Sequence, residues 1–257
     1  MTTVDLNADL GESFGAYTLG EDEAMLALVT SANIACGFHA GGPDVMARTV
    51  AAAVHAGVAL GAHPGLPDLA GFGRRVMAVT PEEGYNLTTY QIGALAAFAR
   101  RHGRNLQHVK PHGALYNTAE RQPPLAQAIA QAVRDFDGGL FLFALSGGVL
   151  AQAGRDLGLR IAQEVFADRT YQADGALTPR TSPDALIHDP AEAARRMVRL
   201  LTEGVIVTAD GTEIALTADT ICLHGDQPGA AARAQVLRQE LERHGIAIRP
   251  PGEDVGS

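Results

Sequence analysis

The sequence predicts a seven-stranded (β/α) barrel, and three observations predict it. Short apolar or β-branched runs alternate with stretches of helical spacing along the 257 residues, an order that builds a parallel sheet. Nearly every run ends in polar groups and a turn. That suits a barrel, in which all strand C-termini face one mouth, better than an open sheet, in which only strands near the switch point carry site residues. Polar residues also recur with period two at those ends: Asp5, Asn7 and Asp9 alternate with Val4, Leu6 and Ala8, and His108, Lys110 and His112 repeat the spacing, as do Cys222, His224 and Asp226. Each set therefore lies on one face of its strand.

In chain order the strand candidates are 4–7, 32–36, 58–62, 107–110, 140–145, 161–166 and 220–224. Between them, Pro43 opens a helical run through Val45, Thr49, Ala52 and Ala53, and further helices are expected over 81–101, 125–136, 149–157, 191–201 and 230–244. Asp189-Pro190 reads as a cap followed by a first-turn proline, and Gly204 as a stop. Two segments interrupt the repeat. Residues 205–216, with Asp210-Gly211 at their centre, read as a β-hairpin on a type I′ turn inserted before the last barrel strand. Residues 167–189 form a long loop, a candidate lid. No linker or low-complexity segment divides the chain, so one domain over 1–257 is expected.

Composition narrows the function classes. Twenty basic against 29 acidic residues leave a net charge of −9, which repels phosphate backbones and anionic headgroups and disfavours nucleic acid and membrane as partners. The N-terminus has no basic leader before an apolar run, and the longest uncharged stretch, 138–154, is broken by Ser146, Gly147 and Gly148. Two cysteines, Cys36 and Cys222, imply no disulfide framework. A cytoplasmic protein is expected.

Four histidines, His39, His63, His112 and His224, stand where a strand gives way to a glycine-containing turn. A histidine there can act as acid, base or metal ligand, or simply orient a loop through hydrogen bonds. Asp5, Asn7, Asp9 and Glu12 bring carboxylates and an amide to the mouth of the first strand, with Lys110 and Arg169 as matching cations; they form either a structural network or a polar-substrate site. Lys110, its direction set by Pro111, can stabilise an oxyanion, act as base or Schiff-base amine if its pKa is depressed, or pair with Asp9 or Glu164. Glu164, Asp168 and Arg169 end the sixth strand and start the lid loop. Neither cysteine has an activating base at useful spacing, and no phosphate-cradling glycine loop is present.

The motifs Asp5-Leu-Asn-Ala-Asp-Leu-Gly-Glu12, Ala32-Asn-Ile-Ala-Cys-Gly-Phe-His-Ala-Gly41, Gly61-Ala-His-Pro-Gly65, Val109-Lys-Pro-His-Gly-Ala-Leu-Tyr-Asn117, Val165-Phe-Ala-Asp-Arg169 and Cys222-Leu-His-Gly-Asp226 together resemble the LamB/YcsF family. The resemblance implies a barrel like those of glycoside hydrolases and polysaccharide deacetylases. It also implies ATP-dependent opening of 5-oxoproline to glutamate with partner subunits B and C, ATP being used by or with those partners. A five-membered lactam bearing a carboxylate needs a cation for the carboxylate, donors for the oxyanion and a base for water. Arg169 or His39 is assigned to the first, Lys110 to the second, and Asp9 with His63 or His112 to proton transfer. Asn7, Glu12, Glu164, His224 and Asp226 complete the expected substrate contacts. Phosphate activation would replace a Lewis acid, so no metal is expected; the deacetylase likeness raises the alternative of a metal-dependent amidohydrolase with Asp9, His39 and His63 as ligands. One departure is Gly42, where the family usually has Asp.

Overall fold

A computed structural model describes residues 2–179, 181–223 and 229–253. Its elements run β1 (Thr3–Leu10), α1 (Asp22–Leu26), β2 (Ser31–Ala35), α2 (Pro43–Ala56), β3 (Ala59–His63), α3 (Pro81–Arg101), β4 (His108–Val109), α4 (Gly113–Ala119), α5 (Pro123–Phe136), β5 (Phe141–Leu145), α6 (Val149–Asp156), β6 (Arg160–Phe166), α7 (Pro190–Glu203), β7 (Val205–Val207), β8 (Glu213–Ala215), β9 (Thr220–Leu223), α8 (Ala230–Arg243) and β10 (Ala247–Ile248). Strands β1 to β6 and β9 pair in parallel, and β9 returns to β1 through Asp5↔Thr220 and Asn7↔Cys222, closing the seven-stranded barrel. The short β10 adds alongside the start of β1.

Alternation within β1 separates two environments. Val4, Leu6, Ala8 and Leu10 are buried in the apolar cluster shared with the helices, while Asp5, Asn7 and Asp9 hydrogen-bond across to side chains of neighbouring strands. Helix starts follow local chemistry. Thr80 and Glu83 form a capping box ahead of Pro81, and Asp189 caps α7 through Ala191 N–H, with Pro190 at the first turn. Gly204 then ends α7 in the left-handed region at φ +73°.

The hairpin forms where expected, but its turn differs. Val207 pairs Glu213, and Thr208 N–H donates to Thr212 C=O, leaving a three-residue loop in which Gly211 alone has positive φ, at +86°. A type I′ turn needs positive φ at both central residues. Asp210 instead directs its carboxylate to Thr208 Oγ1 and Thr212 N–H, which holds a wider loop. The segment 167–189 is folded rather than open. Tyr171 is fully buried with its hydroxyl accepting from Phe166 N–H, and bridges at Arg169↔Leu186 and Tyr171↔Leu177 fold the segment back on itself.

Inside the barrel, Gly61 faces the His108 imidazole so closely that a Cβ would overlap the ring. Replacing Gly61→Ala is expected to destabilise the fold by about 1–3 kcal/mol, the usual range for overpacking. Urea denaturation should show a lower midpoint at unchanged slope; an unchanged midpoint would mean the barrel relaxes around the methyl group.

Candidate active site

Three polar layers climb the barrel interior. At the base, Asp5 accepts from Thr30 Oγ1 at 2.6 Å, Ser31 Oγ at 2.7 Å and Thr220 Oγ1 at 2.5 Å. Burial raises its pKa to about 6 despite these three hydroxyl donors. In the middle layer, Asn33 Nδ2 donates to Asn7 Oδ1 at 2.7 Å and Asp9 Oδ1 at 2.9 Å, while His108 Nε2 lies 2.8 Å from Asn33 Oδ1. His108 stacks on Phe143 at 4.0 Å and stays neutral, because burial and nearby Lys110 push its pKa down to about 3.

Lys110 occupies the top layer at the C-terminal end of β4. Its Nζ lies 2.9 Å from Asp9 Oδ1, 2.9 Å from Glu164 Oε1, 3.1 Å from Asn7 Oδ1 and 3.0 Å from Cys222 Sγ. Burial opposes the charge, but the Asp9 and Glu164 carboxylates, with a hydrogen bond to Cys222 Sγ, outweigh it and hold the pKa well above the ordinary lysine value. The ammonium therefore stays protonated, which disfavours the base and Schiff-base readings; the expected pairing with Asp9 and Glu164 is present, and electrostatic stabilisation stands beside it. Glu164 also accepts from Tyr116 Oη at 2.9 Å. Both cysteines are buried, and burial pushes Cys36 up to about 12 and Cys222 well above its usual value, so neither is a ready thiolate.

A second group adjoins Lys110. His63 Nδ1 lies 2.7 Å from Lys110 C=O, and His63 Nε2 lies 3.3 Å from Asp9 Oδ2 and 3.0 Å from His112 Nδ1. His112 Nε2 lies 2.8 Å from Phe72 C=O, and its ring stacks on His39 at 3.8 Å. Glu12 Oε1 sits 3.6 Å from His39 Nε2 and 3.9 Å from His112 Nδ1. One donor atom from each of Glu12, His39, His63 and His112 lies within 4.8 Å of the others. Among the described residues these four are placed so that they could hold a metal; Asp9, the carboxylate of the expected trio with His39 and His63, turns Oδ1 to Lys110 and Asn33 and brings Oδ2 within 3.3 Å of His63 Nε2.

Above both groups opens a cavity of about 470 Å³ lined by Asp9, His63, Lys110, His112, Tyr116 and Phe166 on the barrel side and by Arg169, Leu177 and Thr178 on the 167–189 loop. Arg169 is buried, with its Nη2 donating to Thr178 C=O at 2.5 Å and its Nε to Ala185 C=O at 3.3 Å, so it braces the loop from inside the cavity wall. Arg74 and Arg121 also line the cavity. Neither was expected from sequence, since exposed arginines outside a motif carry no signal of their own. His39 already has a carboxylate neighbour in Glu12, whose Oε1 lies 3.6 Å from its Nε2. Burial and the neighbouring His112 and His63 hold its pKa well below the usual histidine value, so it is a neutral ring. His112 is likewise neutral, pushed to about 3 first by burial and then by His63. His224 and Asp226 lie outside the described residues.

Residues 4–255 match the LamB/YcsF family. The chain belongs to that family. Among its relatives, a Bordetella parapertussis protein named as the A subunit of 5-oxoprolinase is 59% identical over 246 residues, covering 96% of this chain and 98% of that one. The solved lactam utilization protein of Thermus thermophilus superposes with a TM-score of 0.92 at 50% identity, covering 96% of this chain and 99% of that one. A family 4 carbohydrate esterase from Streptomyces lividans shares the fold at a TM-score of 0.51 and 14% identity, covering 96% of this chain and 91% of that one.

Within this LamB/YcsF chain, Gly42 is the N-cap of α2, with extended backbone at φ 176° and no side-chain cap bond. A Cβ there would meet only the Phe14 ring, at 4.0 Å. An Asp would fit as an ordinary cap, so the departure concerns a helix end.

The raised pKa of Asp5 fixes the sign of a pH effect. Between about 4 and 6 the folded state holds a proton on Asp5 that the unfolded chain releases, so this group's contribution to stability falls as pH rises through that window. Asp5→Asn should remove the dependence. The variant's stability relative to wild type is expected to improve by roughly 2 kcal/mol from pH 4 to pH 6.5, read from urea denaturation at each pH. A flat difference would show that Asp5 titrates normally.

Proposed function

We propose that this chain is the A subunit of a 5-oxoprolinase, acting with B and C subunits to open the 5-oxoproline lactam to L-glutamate, coupled to ATP hydrolysis. The observation that carries the reading is the buried Lys110 ammonium beside the Asp9 carboxylate, 2.9 Å apart at the floor of the cavity. One can hold a developing oxyanion and the other can take a proton from water. The names of the full-length relatives support the substrate.

Amide resonance opposes attack on a lactam, and the sequence carries no phosphate-cradling loop. In the proposed division of labour one of the partners transfers the γ-phosphoryl group of ATP to the lactam oxygen, releasing ADP. Water then adds to the carbon bearing that oxygen, Asp9 accepting its proton. The ring C–N bond breaks as the nitrogen is protonated, through His63 or His112, leaving an acyl phosphate that a second water hydrolyses to glutamate and phosphate. Were phosphate expelled before nitrogen, the lactam would simply re-form, so the proton donor at nitrogen decides whether ATP is used productively. With His39 neutral, Arg169 takes the substrate carboxylate, and Arg74 and Arg121 face the phosphate. No helix among the described residues is long and apolar enough to cross a membrane, and a cytoplasmic location suits ATP and two unpaired thiols.

Two assays check this reading. With ATP and 5-oxoproline, the isolated chain should yield neither ADP nor glutamate, and the mixture with subunits B and C should yield both; glutamate from the isolated chain would overturn the division of labour. In the complete mixture, Lys110→Met and Asp9→Asn should each lower turnover by about 10²-fold or more, with folding verified by circular dichroism. Near-normal turnover would remove the residue concerned from the mechanism.

A further inference from the structure

The histidine cluster presents a proton-counting problem. A carbonyl oxygen can only accept, so His63 must carry its proton on Nδ1, facing Lys110 C=O at 2.7 Å, and His112 on Nε2, facing Phe72 C=O at 2.8 Å. In the neutral rings this leaves two lone pairs, His63 Nε2 and His112 Nδ1, pointed at each other across 3.0 Å. Asp9 Oδ2, another acceptor, lies 3.3 Å from the same His63 nitrogen. Nearby, His39 is 1% exposed, and neither of its ring nitrogens makes a hydrogen bond among the described residues. Its Nδ1 side is closed off by backbone, since a Cβ on Gly65 would stand 2.5 Å from that atom, so Nε2 is the nitrogen presented to Glu12. Buried acceptors converging in this way are unfavourable unless a proton or a cation lies among them.

The geometry points to a divalent transition-metal site formed by Glu12 Oε1, His39 Nε2, His63 Nε2 and His112 Nδ1. Donors on a tetrahedron with metal bonds of about 2.0–2.1 Å stand about 3.3 Å apart; three of the separations here are 3.0, 3.6 and 3.9 Å, and all lie within 4.8 Å, so a small inward shift of the side chains would close the shell. Metal-bound histidines usually donate their other N–H to a carbonyl or carboxylate, and His63 and His112 already donate to Lys110 and Phe72 carbonyls. Three imidazoles and one carboxylate select zinc, cobalt, iron, manganese or nickel over magnesium and calcium, which prefer oxygen alone. Gly73 keeps the approach tight, because a Cβ there would lie 2.6 Å from His39 Cβ and 2.9 Å from His112 Cδ2. This site stands on the chain's own donors, and an ion there would occupy His63 Nε2 and His112 Nδ1, the nitrogens that proton transfer to the lactam would use, so metal binding and that proton-donor role exclude one another. The competing account is an extra proton shared between His63 and His112.

Metal uptake separates the two accounts without any activity measurement. The full chain, stripped with a chelator, is dialysed against Zn²⁺ or Co²⁺ and its bound metal counted. About one ion per chain is expected, with a rise in melting temperature and, for Co²⁺, visible d–d absorption of a low-coordinate centre. His39→Gln and Glu12→Gln should weaken uptake at least ~10-fold, the scale for losing a coordination partner, whereas His102→Gln, on an exposed turn, should not. If the site variants fail to fold, X-ray absorption on the zinc-loaded wild type decides: a shell containing histidine nitrogens supports the site, and an oxygen-only shell overturns it. Absence of uptake by folded wild-type chain at ~100 μM metal, far above the affinity expected of such a donor set, would also overturn it and leave the shared proton.

Discussion

The ammonium of Lys110 is the group to which the barrel's interior is fitted. A buried cation is unfavourable by several kcal/mol unless paired and hydrogen-bonded, and here four neighbouring side chains answer to it: Asp9 and Glu164 supply charge, Asn7 an amide oxygen, and Cys222 a polarisable sulfur. Those partners are held in turn. Asn33 braces both Asn7 and Asp9, Thr220 braces Asn7, and Tyr116 braces Glu164. The β1, β2, β4, β6 and β9 strands therefore bring polar side chains to the axis where barrels of this class ordinarily carry Val, Ile and Leu. The apolar core lies outside the strands, against the helices.

The same residue ties the two halves of the mouth together. Lys110 N–H donates to Ala62 C=O, its own carbonyl receives His63 Nδ1, and its side chain reaches Asp9, whose second carboxylate oxygen meets His63 Nε2. A shift of β4 along the barrel would move the ammonium, the Asp9 carboxylate and the histidine cluster as one. Pro111 extends the backbone at the point where this coupling is made, and Gly113, at φ +53°, then turns the chain into α4. The charge-bearing and metal-type donors are thus presented in one fixed relation to the cavity above them.

Much of this was legible in the sequence because period-two alternation survives folding. Asp5, Asn7 and Asp9 face inward together, and the seven strand runs and the α3 boundaries fall within a residue or two of their predicted places apart from a longer β1. What was not legible depends on distance across the barrel. Glu12 lies beyond the end of β1, and nothing in its spacing showed that it meets His39 and His112 rather than Lys110. Arg169 read as a match for the first-strand carboxylates or for a substrate carboxylate, whereas the carbonyls of Thr178 and Ala185 that orient it belong to a loop whose folding no local pattern encodes. Helices α1 and α4, of 5 and 7 residues, are too short to show a helical period.

Net charge and local charge also part company at the mouth. The whole chain carries −9, which argues against general attraction for phosphate, yet Arg74, Arg121 and Arg169 converge on one cavity whose floor holds Lys110. Exposed acids spread over the surface are screened within about 8–10 Å at physiological salt, so they contribute little at the cavity floor. Lys110 and Arg169 are buried there, where low-dielectric walls weaken screening, while Arg74 and Arg121 stand exposed at the rim. The Asp9 and Glu164 carboxylates, each 2.9 Å from Lys110 Nζ, cancel much of its field towards the barrel.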